Sequence, residues 1–135
     1  MIFLLDTNAF SDLMRKHRQL EAHLAALAPT DRVVICSIVR GEISFGIAQL
    51  AEGRRRQTLE SQAAPLFAIL PCEAVPETAG DFYATTKITR QSKGLGLDEN
   101  DLWIASTALA LGATLVTRDS DFANIDGLQV EDWSV

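Results

Sequence analysis

The side chains best suited to chemistry in this sequence are four acids, Asp6, Glu42, Asp101 and Asp119, each next to an apolar stretch. Asp6 directly follows Ile-Phe-Leu-Leu, a short apolar run without alternation that reads as a strand buried on both faces. In open parallel α/β sheets, ligands bind beyond the carboxyl ends of the strands, so an acid here stands where a catalytic group would. Capping the next helix is the plainer role for Asp6, although Thr7 and Asn8 also offer capping side chains. Glu42 is more telling. On a helix its neighbours three and four positions away are Ile38, Val39, Phe45 and Gly46, none of them polar. A carboxylate inside an apolar stripe is costly unless something pairs with it, and Arg40, two positions away, points elsewhere. Asp101 falls in the first turn of a helix starting near Asp98, where the helix dipole alone would favour it. The run Asp98-Glu99-Asn100-Asp101 nevertheless exceeds what capping requires. With Asp98 as the cap, Asp101 is free to face the crevice of a sheet. Asp119 and Asp121 follow an apolar strand ending at Thr117. Asp119 is closer to the strand end and is the better candidate; turn formation is the plain alternative for both.

Gathered in one crevice, four carboxylates cannot all stay ionised unless cations are bound. Hard oxygen donors select Mg²⁺ or Mn²⁺ over zinc, so magnesium or manganese is the expected cofactor. Other chemistries find little support. His17 and His23 fall on different faces of any helix joining them, and Cys36 and Cys72 lack metal-type spacing. No Ser-His-Asp or Cys-His arrangement stands out, and there is no glycine-rich phosphate loop.

The elements that must position these acids can be read from periodicity and punctuation. Strands are expected at Ile2 to Leu5, Val33 to Cys36 and Ala113 to Thr117, with a short last one at Val130 to Asp132. Helices are expected from about Asn8, from Gln19 to Ala28, and from a Ser37 cap to about Leu50. Further helices are expected from Arg54 to about Leu70, kinked or split at Pro65, from Glu77 to Ser92, and from Asp98 to Leu111, where Gly112 ends the run. Short apolar strands alternating with helices predict an α/β fold, three layers with a mainly parallel central sheet. The length, 135 residues with 47% hydrophobic and 22% charged, fits one domain over residues 1–135. Both cysteines sit in apolar surroundings and are expected to be reduced and buried, as suits a cytoplasmic protein. No apolar run is long enough to cross a bilayer, and no signal peptide fits the first residues.

Four stretches carry a resemblance: Leu-Leu-Asp-Thr-Asn (4–8), Cys-Ser-Ile-Val-Arg-Gly-Glu-Ile-Ser-Phe-Gly-Ile (36–47), Asn-Asp-Leu-Trp-Ile-Ala-Ser-Thr-Ala (100–108) and Leu-Val-Thr-Arg-Asp-Ser-Asp-Phe (115–122). Together with Val-Glu-Asp-Trp (130–133) they resemble the PIN-domain family, and within it the VapC-like toxins of toxin–antitoxin pairs. The combination is specific, although no single piece is, and the middle from Leu50 to Lys93 matches only loosely. The resemblance implies that Asp6, Glu42, Asp101 and Asp119 form the catalytic acidic quartet, with Asp6 and Asp101 the firmest metal ligands. It gives Glu42 the task of positioning metal or water, and lets Asp119 act through a water. Thr7, Asn8, Ser37 and Thr117, with Asp121 beside them, would shape the pocket.

The implied activity is metal-dependent hydrolysis of an RNA phosphodiester, leaving a 5′-phosphate and a 3′-hydroxyl. Implied partners are an RNA substrate, with tRNA among the candidates, a cognate antitoxin that fills the groove, and a second copy of the chain in a homodimer. A net charge of −6 runs against RNA binding, since phosphate recognition normally shows as a basic surface. Local basic clusters offset it. Arg54, Arg55 and Arg56, and Lys87, Arg90 and Lys93, are the candidates to contact RNA, a solvated helix face being the bland alternative. Two other readings keep the fold: a catalytically silent binding module using Phe45, Ile47 and Leu50, and a housekeeping RNA-processing nuclease. A phospho-acceptor receiver domain would need an acid pair after its first strand; Asp-Thr-Asn stands there instead.

Overall fold

Ile2–Leu5 (β1) is the centre of the sheet, which explains its unbroken apolar character: Phe3, Leu4 and Leu5 are all buried. In the computed structural model, which describes all 135 residues, five strands pair in the order β3-β2-β1-β4-β5. The others are Arg32–Cys36 (β2), Cys72–Glu73 (β3), Thr114–Val116 (β4) and Gln129–Glu131 (β5). Every pairing is parallel. The registers Leu4↔Val34 and Leu4↔Leu115 bring the ends of β1, β2 and β4 level.

Parallel strands need crossovers, and these supply the helices Thr7–Met14 (α1), Arg18–Ala25 (α2), Ser37–Ala48 (α3), Arg54–Ile69 (α4), Ala79–Ser92 (α5) and Glu99–Leu111 (α6). The chain steps outward from β1 to β2 to β3, then returns past β1 to β4. Right-handed crossovers therefore put α1 to α4 on one face and α5 with α6 on the other. The reversal falls between β1 and β4, where a crevice opens at the strands' carboxyl ends. The expected three-layer α/β/α fold is observed.

The sheet face that carries α1 to α4 is sealed by large side chains. Phe10 from α1 stacks on Phe67 from α4 at 5.0 Å between centroids, and Trp133 packs on Phe3 at 5.1 Å and against His23 at 5.5 Å. The Trp133 indole N–H donates to Glu131 Oε1 at 3.0 Å, so its polar atom is satisfied. Phe10 is fully buried beneath α4. Phe10→Ala should lower unfolding stability by about 3–5 kcal/mol, read as a drop in the urea midpoint at unchanged slope.

Several local expectations differ from what is observed. Ser37 does not cap α3; Cys36 holds that position without a side-chain hydrogen bond, and Ser37 is the first helical residue. α4 is not split at Pro65. The carbonyl four residues earlier, on exposed Ser61, loses its helical partner where water can replace it. α2 ends at Ala25, short of the expected Ala28, and α5 starts at Ala79, after the expected Glu77. β3 went unforeseen, since two residues are too few to show a period. Cys36 is buried as expected but Cys72 is exposed, because it sits on that edge strand and not in the core.

Candidate active site

Asp6 ends β1 and does two jobs at once. As the N-cap of α1 its Oδ1 accepts the Ala9 amide at 2.8 Å, while its own amide donates to the Val116 carbonyl at 3.1 Å. The cap uses one carboxylate oxygen and leaves the other for the crevice. Asp6 is 3% exposed, and burial raises its pKa above the ordinary value, aided by Asp119. The Thr117 hydroxyl, the Ala9 amide and the Arg118 charge work the other way.

Glu42 lies on α3 and is half-buried, and its partners explain its tolerance of an apolar stripe. Thr7 Oγ1 donates to Oε1 at 2.5 Å, and Asn100 Nδ2 donates to Oε2 at 3.3 Å. Both are neutral donors, so the carboxylate charge is fixed in place and not cancelled. These two bonds tie α1, α3 and α6 together above the sheet. Asn100 was missed as a partner; the excess polarity of the 98–101 run was the signal, but not its direction.

Asp98 caps α6 as expected, accepting the Asn100 amide at 3.1 Å. Asp101 is thereby left facing the crevice, where its pKa is pushed up to about 6. Burial is the largest cause, and after it come the charges of Asp98, Glu42, Asp119 and Asp6, in that order. Asp119 completes the group: its amide donates to Thr117 Oγ1 at 3.0 Å and its Oδ1 accepts the Asp121 amide at 2.9 Å. The four acids singled out in the sequence therefore come together over the carboxyl ends of β1 and β4.

The donors are all oxygen, and the charges of Asp98, Glu42, Asp119 and Asp6 all raise the Asp101 pKa. That composition fits a hard divalent cation. No three His, Cys, Asp or Glu side chains are gathered tightly enough to hold a metal by themselves. The arrangement is instead an open cage, and magnesium characteristically binds such cages through one or two carboxylates while keeping several waters.

The remaining predicted positions divide. Thr7 donates to the Glu42 carboxylate and Thr117 accepts the Asp119 amide, while Ser37 lines a depression of about 470 Å³ with Ile38, Gly41, Glu42, Phe45 and Asn100. Asn8 is solvent-exposed on the first turn of α1. Asp121 is exposed, and its backbone, not its carboxylate, serves the turn: the amide goes to Asp119 and the carbonyl accepts from Arg90. On the other side of Glu42 opens a cleft of about 840 Å³ between α1, α3 and α4, whose walls include Arg15, Arg54 and Arg55.

The basic clusters need correction. Arg90 is buried and cannot meet RNA; its Nη2 donates to the carbonyls of Gly96 at 3.1 Å and Asp121 at 3.3 Å. Helical periodicity turned it inward, onto the loops flanking α6 and β4. Arg56 is committed to Glu60 at 3.0 Å and to the Leu50 carbonyl, and Lys87 to Glu99 at 2.6 Å and Tyr83. Arg54, Arg55 and Lys93 remain exposed. Arg90→Ala should accordingly lower stability by about 2 kcal/mol, whereas Arg55→Ala should leave the melting temperature within a degree or so.

With this geometry in view, comparison with known proteins is decisive. The family model described as the PIN domain matches residues 3–128. The chain belongs to the PIN-domain family. Among PIN-domain relatives it is 30% identical over 135 residues to "Ribonuclease VapC2" of Rickettsia felis, covering 98% of each chain. It is 34% identical over 128 residues to "Ribonuclease VapC5" of Mycobacterium tuberculosis, covering 92% of this chain and 87% of that one. The fold superposes with a TM-score of 0.89 on a crystal structure of VapBC2 from Rickettsia felis bound to a DNA fragment from their promoter, at 30% identity over 98% of this chain and 99% of that one.

Proposed function

We propose that this PIN domain is an endoribonuclease that requires Mg²⁺ or Mn²⁺ and serves as the toxin of a toxin–antitoxin pair. One observation carries the reading: Asp6, Glu42 and Asp119, far apart in sequence, all lie close enough to Asp101 for their charges to raise its pKa. The names of the relatives supply the class of reaction, since two full-length matches are called ribonucleases.

Asp6 and Asp101 would hold the metal, and a bound Mg²⁺ or Mn²⁺ supplies Lewis-acid polarisation of the phosphate and a lowered pKa for water. The chain's own contribution is placement. Thr7 and Asn100 fix both oxygens of Glu42, so that carboxylate presents a set edge to the incoming water. Thr117 orients Asp119 by accepting its backbone amide, and its hydroxyl works against the rise in the Asp6 pKa. Arg54 and Arg55, on the wall of the cleft that reaches Glu42, take phosphates flanking the scissile bond. This gives an acidic chain the local basic rim that RNA needs.

The partner reading rests on neighbours that are VapBC complexes, and we infer an antitoxin for this chain as well. A homodimer and a cytoplasmic site of action complete the proposal. No helix is long and apolar enough to cross a membrane.

The test is cleavage of a defined RNA by the purified, antitoxin-free chain, with Mn²⁺, with Mg²⁺ and with EDTA. Discrete products with either metal and none with EDTA are expected. Equal cleavage with EDTA sinks the metal requirement, and no cleavage of any RNA class sinks the enzyme in favour of a silent binding module.

A further inference from the structure

The acidic crevice leaves one buried acid unused. Asp12 lies on α1, 5% exposed, and both of its oxygens are taken by arginines: Oδ1 by Arg15 Nη2 and Oδ2 by Arg118 Nε at 3.0 Å. Arg118 is joined in sequence to two crevice residues, Thr117 before it and Asp119 after it. Arg118 reaches Asp12, while Thr117 Oγ1 accepts the Asp119 amide and the Asp119 charge acts on Asp6. The sheet cannot hold this segment, because the β4 hydrogen bonds end with the Thr117 amide on the Glu131 carbonyl. The next backbone bond, Phe122 to Asp119, lies inside the turn itself.

We propose that Asp12 is a positioning residue: it bolts Arg118 to α1 and so holds Asp119 at its working distance from Asp6. The two ends of the bolt are informative. α1 starts at Asp6 and the loop carries Asp119, so one ion pair sets the spacing of two acids on different strands. Stability is a poor explanation for the pair. Arg118 is nearly half exposed, and burying Asp12 to meet it costs desolvation that an exposed guanidinium repays weakly. This inference rests on the crevice being the metal centre proposed above. The support given to acids that hold a metal typically governs its affinity by ten- to a hundredfold.

The experiment uses the full chain as Asp12→Ala, Arg118→Ala, the double variant and Arg118→Lys, with two readouts. In metal-free protein, amide hydrogen exchange at Asp119 and Asp121 should rise about tenfold in either alanine variant and no further in the double. Mn²⁺ titrated by calorimetry should bind about tenfold more weakly in the same three, with Arg118→Lys recovering most of the loss. Variants that melt lower but keep parental exchange and Mn²⁺ affinity overturn the bolt, as do single effects that add in the double. A parent that binds no Mn²⁺ overturns the metal reading instead, and the exchange measurement still decides the bolt by itself.

Discussion

Asp101→Asn should lower metal-dependent RNA cleavage by on the order of 100-fold or more and, at the same time, raise the melting temperature of the metal-free protein at pH 7. Loss of a group that merely supports a metal ligand already costs up to about 100-fold, so a residue at the metal should cost no less. The stability gain is the sharper half. Burial and four neighbouring acids push the Asp101 pKa up to about 6, against an unfolded value near 3.8. Between those two values the folded chain holds a proton that the unfolded chain has released. Protonation therefore favours the fold, and above about pH 6 the folded state carries the full penalty of a crowded charge. Asparagine removes the charge at constant size. Because Asp101 is partly open to water, the gain should be about 1 kcal/mol, or roughly 3 °C for a chain of this length. An acid kept only for the helix dipole gives the opposite sign, since neutralising it loses a favourable first-turn charge. Thermal melts in EDTA decide between the two. Asp6→Asn should behave similarly, because asparagine can still accept the Ala9 amide and preserve the cap.

The sheet and two of the acids, Asp6 and Asp119, were legible in the sequence for the same reason. A strand stretch buried on both faces must be apolar throughout, so Ile2–Leu5 and the Val33–Cys36 part of β2 end abruptly, and the first polar residue past such a run marks the crevice. Glu42 was legible because a carboxylate in an apolar stripe calls for partners, which proved to be Thr7 and Asn100. Arg90 was misread because charge announces a surface only when helix phase agrees. On α5 it lies four residues after buried Thr86, on the inward face, and its guanidinium serves carbonyls from two loops that have no sequence signature. The Asp12–Arg118 pair was invisible for a related reason, as it joins residues over a hundred positions apart that periodicity cannot relate. β3 escaped notice because two residues on an edge carry no pattern at all.

Mn²⁺ affinity should fall about tenfold between pH 7 and pH 5, the decline setting in near pH 6 and steepening below it. Metal binds only the deprotonated acid, so each unit below the controlling pKa weakens apparent affinity about tenfold. For an ordinary aspartate that decline starts below pH 4, outside the range. Here Asp101 titrates at about 6, and Asp6 is shifted in the same direction, so the crevice behaves as a coupled set whose apparent pKa belongs to the group. Neither histidine stands there to mimic the effect: His17 caps α2 with its Nδ1, and His23 stacks on Trp133. Calorimetry in buffers of different ionisation enthalpy would count the protons released, close to one per Mn²⁺ at pH 5 and far fewer at pH 7. Melting curves supply a second reading of the same linkage. As pH falls from 7 to 5 the metal-free form gains at this site, while the metal-bound form loses its advantage, so the two melting temperatures converge. An affinity that stays flat across that range contradicts a buried, acid-crowded metal centre. The cluster would then be solvated carboxylates brought together by the fold, and the loss of cleavage in Asp101→Asn would need another cause.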